Sequence, residues 1–286
     1  MGEISIDPKF NIHETYKKVR ILNPYRNGAA QEAETTAYSS RVVADGGIIT
    51  DINYVDSIYK KLKELGILGN LVYWNSANAG VKTNGSKLYS LDPNSNDANQ
   101  SNSSLTPLFQ NSNVNVSKKS IYFNDKILTG TLPAFSSSAY TLIDLSVFTG
   151  TTRTTQHGLT EGTTDGTYFT ASIEYWDDYR TVVFNGDGSN FESEVFAFSQ
   201  GLNVYATRSL RKSGTSLVYD DKERKSTSLL QNNYSTLAKS YSIGRRSVGG
   251  TGNPMIGEIN EAICFNINLT DSQNFEIRNL IDNYYS

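Results

Sequence analysis

From about residue 71 onward the chain is a succession of short apolar runs, each bounded by Gly, Asn, Asp or Ser, with no helical pattern between them. The runs fall at 87–91, 120–124, 140–148, 168–175, 180–185, 194–199, 203–207, 216–220, 240–244 and 258–266. Alternation of period two is plain in Thr141-Leu142-Ile143-Asp144-Leu145-Ser146-Val147-Phe148 and in Phe169-Thr170-Ala171-Ser172-Ile173-Glu174-Tyr175. Turn sequences such as Asn185-Gly186-Asp187-Gly188 and Gly249-Gly250-Thr251-Gly252-Asn253-Pro254 punctuate them. Neighbouring parallel strands need a long, usually helical crossover, and none is written here. The pattern predicts an all-β fold, an antiparallel sandwich or jelly roll over 71–286.

Helical patterns occur only outside that region. Over residues 51–65, Ile52, Val55, Ile58 or Tyr59, Leu62 and Leu65 recur at three- and four-residue spacing. Thr50 or Asp51 can cap the start, and Gly66 follows the last apolar position as a left-handed stop. Lys60, Lys61, Lys63 and Glu64 fill the opposite face, so the apolar stripe must dock on the sandwich or on a partner. At the C-terminus Thr270 and Gln273 form a capping-box pair, Asp271 complements the helix dipole, and Ile277, Leu280, Ile281 and Tyr284 share a face. Residues 1–40 carry scattered apolar side chains and no clear period, which predicts an anchoring segment that becomes ordered against another surface. The expected division is therefore an anchoring segment 1–40, a helical segment 41–70 and a sandwich 71–286.

Composition narrows the function classes. Apolar residues make up 37% and charged residues 19%, enough of the former to bury a core. A formal charge of −3 supplies no general field for a phosphate backbone, so no nucleic-acid partner is expected. One local excess of cations, from Arg208 and Arg211 to Arg245 and Arg246, could make a basic patch for an acidic glycan or another subunit, but the preferred reading is solvated strand faces and turns. Cys264 is the single cysteine, excluding an intrachain disulfide, and its place in Ala262-Ile263-Cys264-Phe265 makes it a small buried hydrophobe. No apolar stretch is long enough to insert in a membrane, and the first residues do not form a secretory signal, so synthesis in a cytoplasm is expected.

Two stretches resemble the concanavalin A-like, laminin-G-like group of jelly rolls. Lys87-Leu88-Tyr89-Ser90-Leu91-Asp92-Pro93-Asn94-Ser95-Asn96-Asp97-Ala98 looks like the opening of that fold, a strand followed by an Asp and a polar turn, with Pro93-Asn94-Ser95 standing where Ser-Gly-Asn is usual. Ile256-Gly257-Glu258-Ile259-Asn260-Glu261-Ala262-Ile263-Cys264-Phe265-Asn266, followed by Leu269-Thr270-Asp271, resembles its last strand and closing helix, and Tyr241-Ser242-Ile243-Gly244-Arg245 its penultimate strand. Arg41-Val42-Val43-Ala44-Asp45-Gly46-Gly47, leading into helix 51–65 and a sandwich, resembles proteins of bacteriophage particles. These resemblances imply a virion component, a fibre, tail or decoration protein, with either a glycan-binding or a purely structural role as a tail or connector protein. Its partners would be other virion proteins and further copies of itself, and in the glycan-binding case a host surface glycan.

Catalysis has little to work with. His13 and His157 are the only histidines, Thr154-Thr155-Gln156-His157-Gly158 reads as a polar loop, and no Gly-x-Ser-x-Gly elbow occurs. Glu192 and Glu194, two apart on one strand face, are the carboxylate pair a glycosidase of this fold would need, but the third acid of such motifs is missing. The expectation is a protein that is not an enzyme and has no organic cofactor. Two binding sites remain as candidates. Trp176, Asp177, Asp178, Tyr179 and Arg180 make a hairpin tip suited to stacking a sugar ring and holding its hydroxyls. Asp92, Asn94, Asn96 and Asp97 offer alternating oxygens of the kind that collect calcium, without the Gly and the bidentate Glu of an EF-hand loop; the alternative is a structural Asx-rich turn.

Overall fold

The computed structural model describes residues 31–136, 139–149, 154–160, 169–175, 181–186, 191–196, 205–213, 216–220, 224–227, 237–244 and 255–286. Two helices come first, α1 (Ala33–Ala44) and α2 (Ile52–Glu64). The strands begin with β1 (Leu71–Ser76), β2 (Lys87–Leu88), β3 (Ala98–Asn99), β4 (Leu108–Asn111), β5 (Lys119–Asn124) and β6 (Leu128–Ser136). They continue with β7 (Ala139–Phe148), β8 (Thr154–Thr160), β9 (Phe169–Tyr175), β10 (Thr181–Gly186) and β11 (Phe191–Phe196). The last are β12 (Tyr205–Ser213), β13 (Ser216–Asp220), β14 (Arg224–Thr227), β15 (Leu237–Ile243) and β16 (Ile256–Phe265), before helix α3 (Asp271–Tyr285).

The strands form two antiparallel sheets. One runs β14-β13-β12-β7-β16-β5-β4, with β1 also paired to β16; the other runs β11-β10-β9-β8-β15-β6-β3-β2. Strand β16 pairs with β7 along nearly its whole length, while its other edge is shared between β5 at Ile256–Ile259 and β1 at Glu261–Phe265. The fold is an all-β, concanavalin A-like antiparallel sandwich with a small helical N-terminal part and a C-terminal helix.

Three layers follow from which faces are covered. Between the sheets lie Tyr73, Leu142, Ala262 and Cys264 from the first and Leu128, Leu159, Tyr241 and Ile243 from the second, all buried. Tyr73 stacks on Tyr241 across the gap with ring centroids 3.9 Å apart. Successive strand residues point to opposite faces, so Trp74, Ile143, Ile263 and Phe265 face away from that core. They meet the apolar sides of the three helices in a second core that includes Tyr38, Val42, Val55, Ile58, Leu62, Ile277 and Ile281. Sheets covered on both faces read as near-continuous apolar runs rather than clean alternation. That is why Leu142-Ile143 and Ile263-Cys264-Phe265 are buried without interruption, and why Asp144 and Ser146, the polar half of an alternating run, are buried too.

The predicted helices form where their caps stand. Asp51 accepts from the backbone N–H groups of Asn53 and Tyr54 at the start of α2, and Gly66 beyond its end has φ +67°. Thr270 and Gln273 close their capping box on α3. Helix α1 differs from expectation, since it crosses the boundary expected at 40/41. Its buried residues Thr35, Tyr38 and Val42 recur at spacings of three and four, but two of them are not aliphatic, and the stripe is too thin to stand out in the sequence. No side chain of its own caps it. Instead the buried Asp56 of α2 reaches across, its Oδ1 accepting from Glu32 N at 2.7 Å and Thr35 Oγ1 at 2.8 Å. His157 also differs, lying on β8 opposite Ile243 and Ile173 rather than in a loop. Arg211 of β12, expected on a solvated face, is buried beneath α3, donating to Leu269 O and to Asp271 Oδ1.

Candidate functional site

The run Leu88-Tyr89-Ser90-Leu91 leads from β2 into the polar turn at Asp92, and the helical layer lies against it. Three successive carbonyls of this run are taken by helix side chains. Tyr38 OH of α1 donates to Tyr89 O at 2.9 Å, Arg41 Nη2 to Ser90 O at 2.6 Å, and Tyr59 OH of α2 to Leu91 O at 2.7 Å. The Tyr38 and Tyr59 rings meet edge to face, centroids 6.5 Å apart. Gly80 makes the approach possible, because a Cβ there would overlap the Tyr38 hydroxyl.

Between α1, α2 and the turn opens a pocket of about 320 Å³, lined by Glu34, Ala37, Tyr38, Arg41, Tyr59, Leu91, Asp92, Pro93 and Ser95. Its polar groups are anchored. Arg41 Nη1 lies 2.9 Å from both carboxylate oxygens of Asp97, and together with Nη2 on Ser90 O this fixes the guanidinium plane. Asp97 also accepts from Ser90 N at 2.8 Å and pairs with Lys87 at 3.0 Å, while Lys87 pairs with Asp45 at 2.8 Å. Hydrogen bonds from Lys87 and then Tyr89 hold the Asp45 carboxyl down at about 2. Glu34 pairs with Lys63 of α2, which also holds Glu32.

The Asp92 turn is built as an Asx turn. Asp92 Oδ2 accepts from Asn94 N at 2.8 Å and Asn96 Nδ2 at 3.0 Å, and Oδ1 from Asn96 N at 2.9 Å. Asn96 Nδ2 also donates to Val72 O, and Asn96 O accepts from the core Tyr241 OH at 2.6 Å, tying the turn to both sheets. Burial raises the Asp92 carboxyl above its ordinary range, against the pull of its hydrogen bonds. Of the four residues expected to offer calcium oxygens, Asp92, Asn96 and Asp97 are buried and Asn94 is exposed. Calcium there would have to displace Arg41 and Lys87 from Asp97. Among the described residues no group of three His, Cys, Asp or Glu side chains is gathered to hold a metal.

The other expected residues fall elsewhere. Strands β9 and β10 form the hairpin expected around Trp176, with Tyr175 opposite Thr181, but Trp176, Asp177, Asp178, Tyr179 and Arg180 lie outside the described residues. Glu192 and Glu194 are on β11, the outermost strand of its sheet, opposite Asn185 and Val183. Tyr38, Arg41 and Tyr59 are the lining residues that sequence reasoning missed as a site, because their partners lie far along the chain.

A second polar cluster is buried under the helices. Glu261 Oε1 accepts from Tyr54 OH at 3.1 Å, Ser76 Oγ at 2.7 Å and Tyr285 OH at 2.8 Å, and Oε2 from Trp74 Nε1 at 2.6 Å. These donors come from α2, β1 and α3, so one carboxyl joins three elements to β16. Burial pushes it up to about 7, and the four hydrogen bonds oppose that shift.

An antiparallel β-sandwich with a tyrosine-lined pocket is the class that fold and site define. No protein-family model matches this chain, and no curated protein matches it in sequence. Solved structures do share the fold. A mutant of Trypanosoma rangeli sialidase displaying trans-sialidase activity is 13% identical with a TM-score of 0.53, aligning 80% of this chain with 39% of its own. Trypanosoma rangeli sialidase in complex with a 2,3-difluoro-KDN ligand is 11% identical with a TM-score of 0.54, over 82% of this chain and 40% of the other. Trypanosoma rangeli sialidase in complex with sialic acid is 12% identical with a TM-score of 0.52, over 78% of this chain and 38% of the other. This chain thus spans about 40% of the sialidase chains' length. The shared feature is the sandwich, and a fold does not by itself assign an activity.

Proposed function

We propose that this chain is a non-catalytic carbohydrate-binding module that holds a sugar in the pocket at the Asp92 turn. The observation that carries the reading is the pocket's lining, in which two tyrosines, a guanidinium and a buried carboxylate converge on about 320 Å³. Sugars bind by laying apolar ring faces on aromatic side chains while charged and amide groups take their hydroxyls. A few anchored polar groups in a concave site of roughly 300 to 1,000 Å³ are the usual form of a small-molecule site.

The non-catalytic part rests on what the carboxylates already do. A glycosidase needs one carboxyl free to give a proton and another free to attack or to activate water. In the pocket, Glu34 is ion-paired to Lys63 and Asp92 accepts three hydrogen bonds from its own turn. Incubating the full chain with host surface polysaccharide should release no reducing sugar. Release that disappears in Glu192→Gln with Glu194→Gln would make the protein an enzyme instead.

The proposal extends to a bacteriophage particle on the sequence resemblance of residues 41–47 and the helix after them. In that setting the protein is made in the host cytoplasm, assembles with further copies and other virion proteins, and presents its sandwich to host surface glycan. The pocket is tested through Ala37, an exposed residue on its rim. Ala37→Trp should fill the opening and weaken glycan binding at least tenfold with the melting temperature unchanged. The hairpin tip is the competing surface: if Trp176→Ala removes binding and Ala37→Trp does not, the sugar sits at residues 176–180 and the pocket reading falls.

A further inference from the structure

We infer that this pocket selects sugars without a negative charge, neutral hexoses and amino sugars, and rejects acidic sugars, because every cation at its wall is already engaged by the chain's own acids. The inference rests on the pocket being the sugar site. An acidic sugar is ordinarily held by a guanidinium or ammonium group that offers its donors to the ligand carboxylate. Arg41 is the one cation lining the pocket, and its charge is already paired with Asp97, Nη1 lying on both carboxylate oxygens while Nη2 donates to Ser90 O. Turning it to a ligand carboxylate would take Nη1 from Asp97, a carboxylate only 8% exposed. The next cations outward are no freer. Lys63 lies between Glu32 and Glu34, and Lys87 between Asp45 and Asp97.

One charge in the wall is uncompensated, and it is negative. Asp92 has no ion-pair partner among the described residues; its acceptors face the N–H groups of Asn94 and Asn96. Burial already disfavours its charged form, and nearby Asp97 adds to that. A second anion brought against it in a partly dry site meets repulsion that water screens poorly. A hydroxyl or an ammonium group, in contrast, finds a carboxylate that can accept from it.

The test titrates the full chain, by NMR at low salt and neutral pH, with methyl glucoside, glucosamine and N-acetylneuraminic acid. The first two should bind at least tenfold more tightly than the third, and glucosamine should lose its advantage over methyl glucoside as salt is added. Asp92→Asn, which keeps an Asx-turn acceptor and removes the charge, should narrow the gap between acidic and neutral sugar at least threefold. N-acetylneuraminic acid binding as tightly as the neutral sugar, with that binding lost in Ala37→Trp, would overturn the selectivity and leave the pocket standing. Failure of all three sugars to bind, or binding that Ala37→Trp leaves unaltered, would overturn the pocket itself and the selectivity with it.

Discussion

Glu261 is the residue whose chemistry departs most from what its neighbours in sequence suggest. It sits in the polar stretch Asn260-Glu261 of an otherwise apolar strand, and nothing local marks it as the point where Trp74, Tyr54, Ser76 and Tyr285 converge. Its carboxyl is pushed from 4.5 to about 7 by burial, so the fold favours the protonated form. Its contribution to stability is therefore full below about pH 4.5 and is lost as pH rises through about 7. A shift of this size corresponds to roughly 3 kcal/mol. The three hydroxyls on Oε1 can accept as well as donate, so a proton on Oε1 finds a partner while Oε2 keeps the indole. Glu261→Gln can copy that arrangement with its carbonyl toward Trp74 and its amide toward the hydroxyls. Denaturant melts should show wild type losing about 3 kcal/mol relative to Glu261→Gln between pH 4.5 and pH 8. A constant difference across that range would mean the carboxyl is not titrating inside the fold. Glu261→Ala should be destabilising at every pH, at about 1 to 3 kcal/mol for each donor left without a partner.

At the scale of elements, α2 and α3 were legible because cap, apolar stripe and stop agree with one another. Helix α1 was not, and the reason is physical: it contributes few apolar side chains and borrows its N-terminal cap from Asp56, on another helix. Its role in the core is nonetheless large, since Tyr38 and Val42 are 4% and 0% exposed. A chain shortened to residues 41–286 loses Tyr38 and the first two turns of α1. It should be less stable than a chain of residues 31–286 by at least the roughly 3 to 5 kcal/mol typical of deleting a buried aromatic. Equal melting temperatures for the two truncations would show that α1 is dispensable to the fold. Asp56→Ala should reproduce part of the loss, about 1 to 3 kcal/mol, by orphaning Glu32 N and Thr35 Oγ1.

The whole molecule is a sheet sandwich with a helical layer that covers the outer face of one of its sheets. Because Trp74, Ile143, Ile263 and Phe265 share a core with all three helices, the layer and the sandwich should unfold together. Far-ultraviolet dichroism, which reads the helices, and the fluorescence of Trp74 compared with Trp74→Phe should melt at one temperature. A helical transition well below the sheet transition would separate the layer from the sandwich. The pocket exists only at this scale. Arg41 reaches Asp97 across 56 residues of sequence and Tyr59 reaches Leu91 across 32, and the lining comes from two helices and one turn.

By itself the sequence determined the things that depend on local period and local chemistry. The alternating runs 141–148 and 169–175, Asp51 and Gly66 around α2 and the capping box of α3 are each read by neighbours within a few residues, and each is found in place. The Asx turn at Asp92 belongs with them, because Asp92 bonds groups two and four residues onward. Tertiary structure alone decided which strands adjoin, that β16 is shared by β7, β5 and β1, and that helices cover the sheet's second face. Those contacts join residues far apart in the chain, where pairing depends on which surfaces remain uncovered rather than on any local pattern. The same holds for the chemistry. The burial that raises Glu261 and Asp92 is a property of the packed layers, which no window of sequence contains.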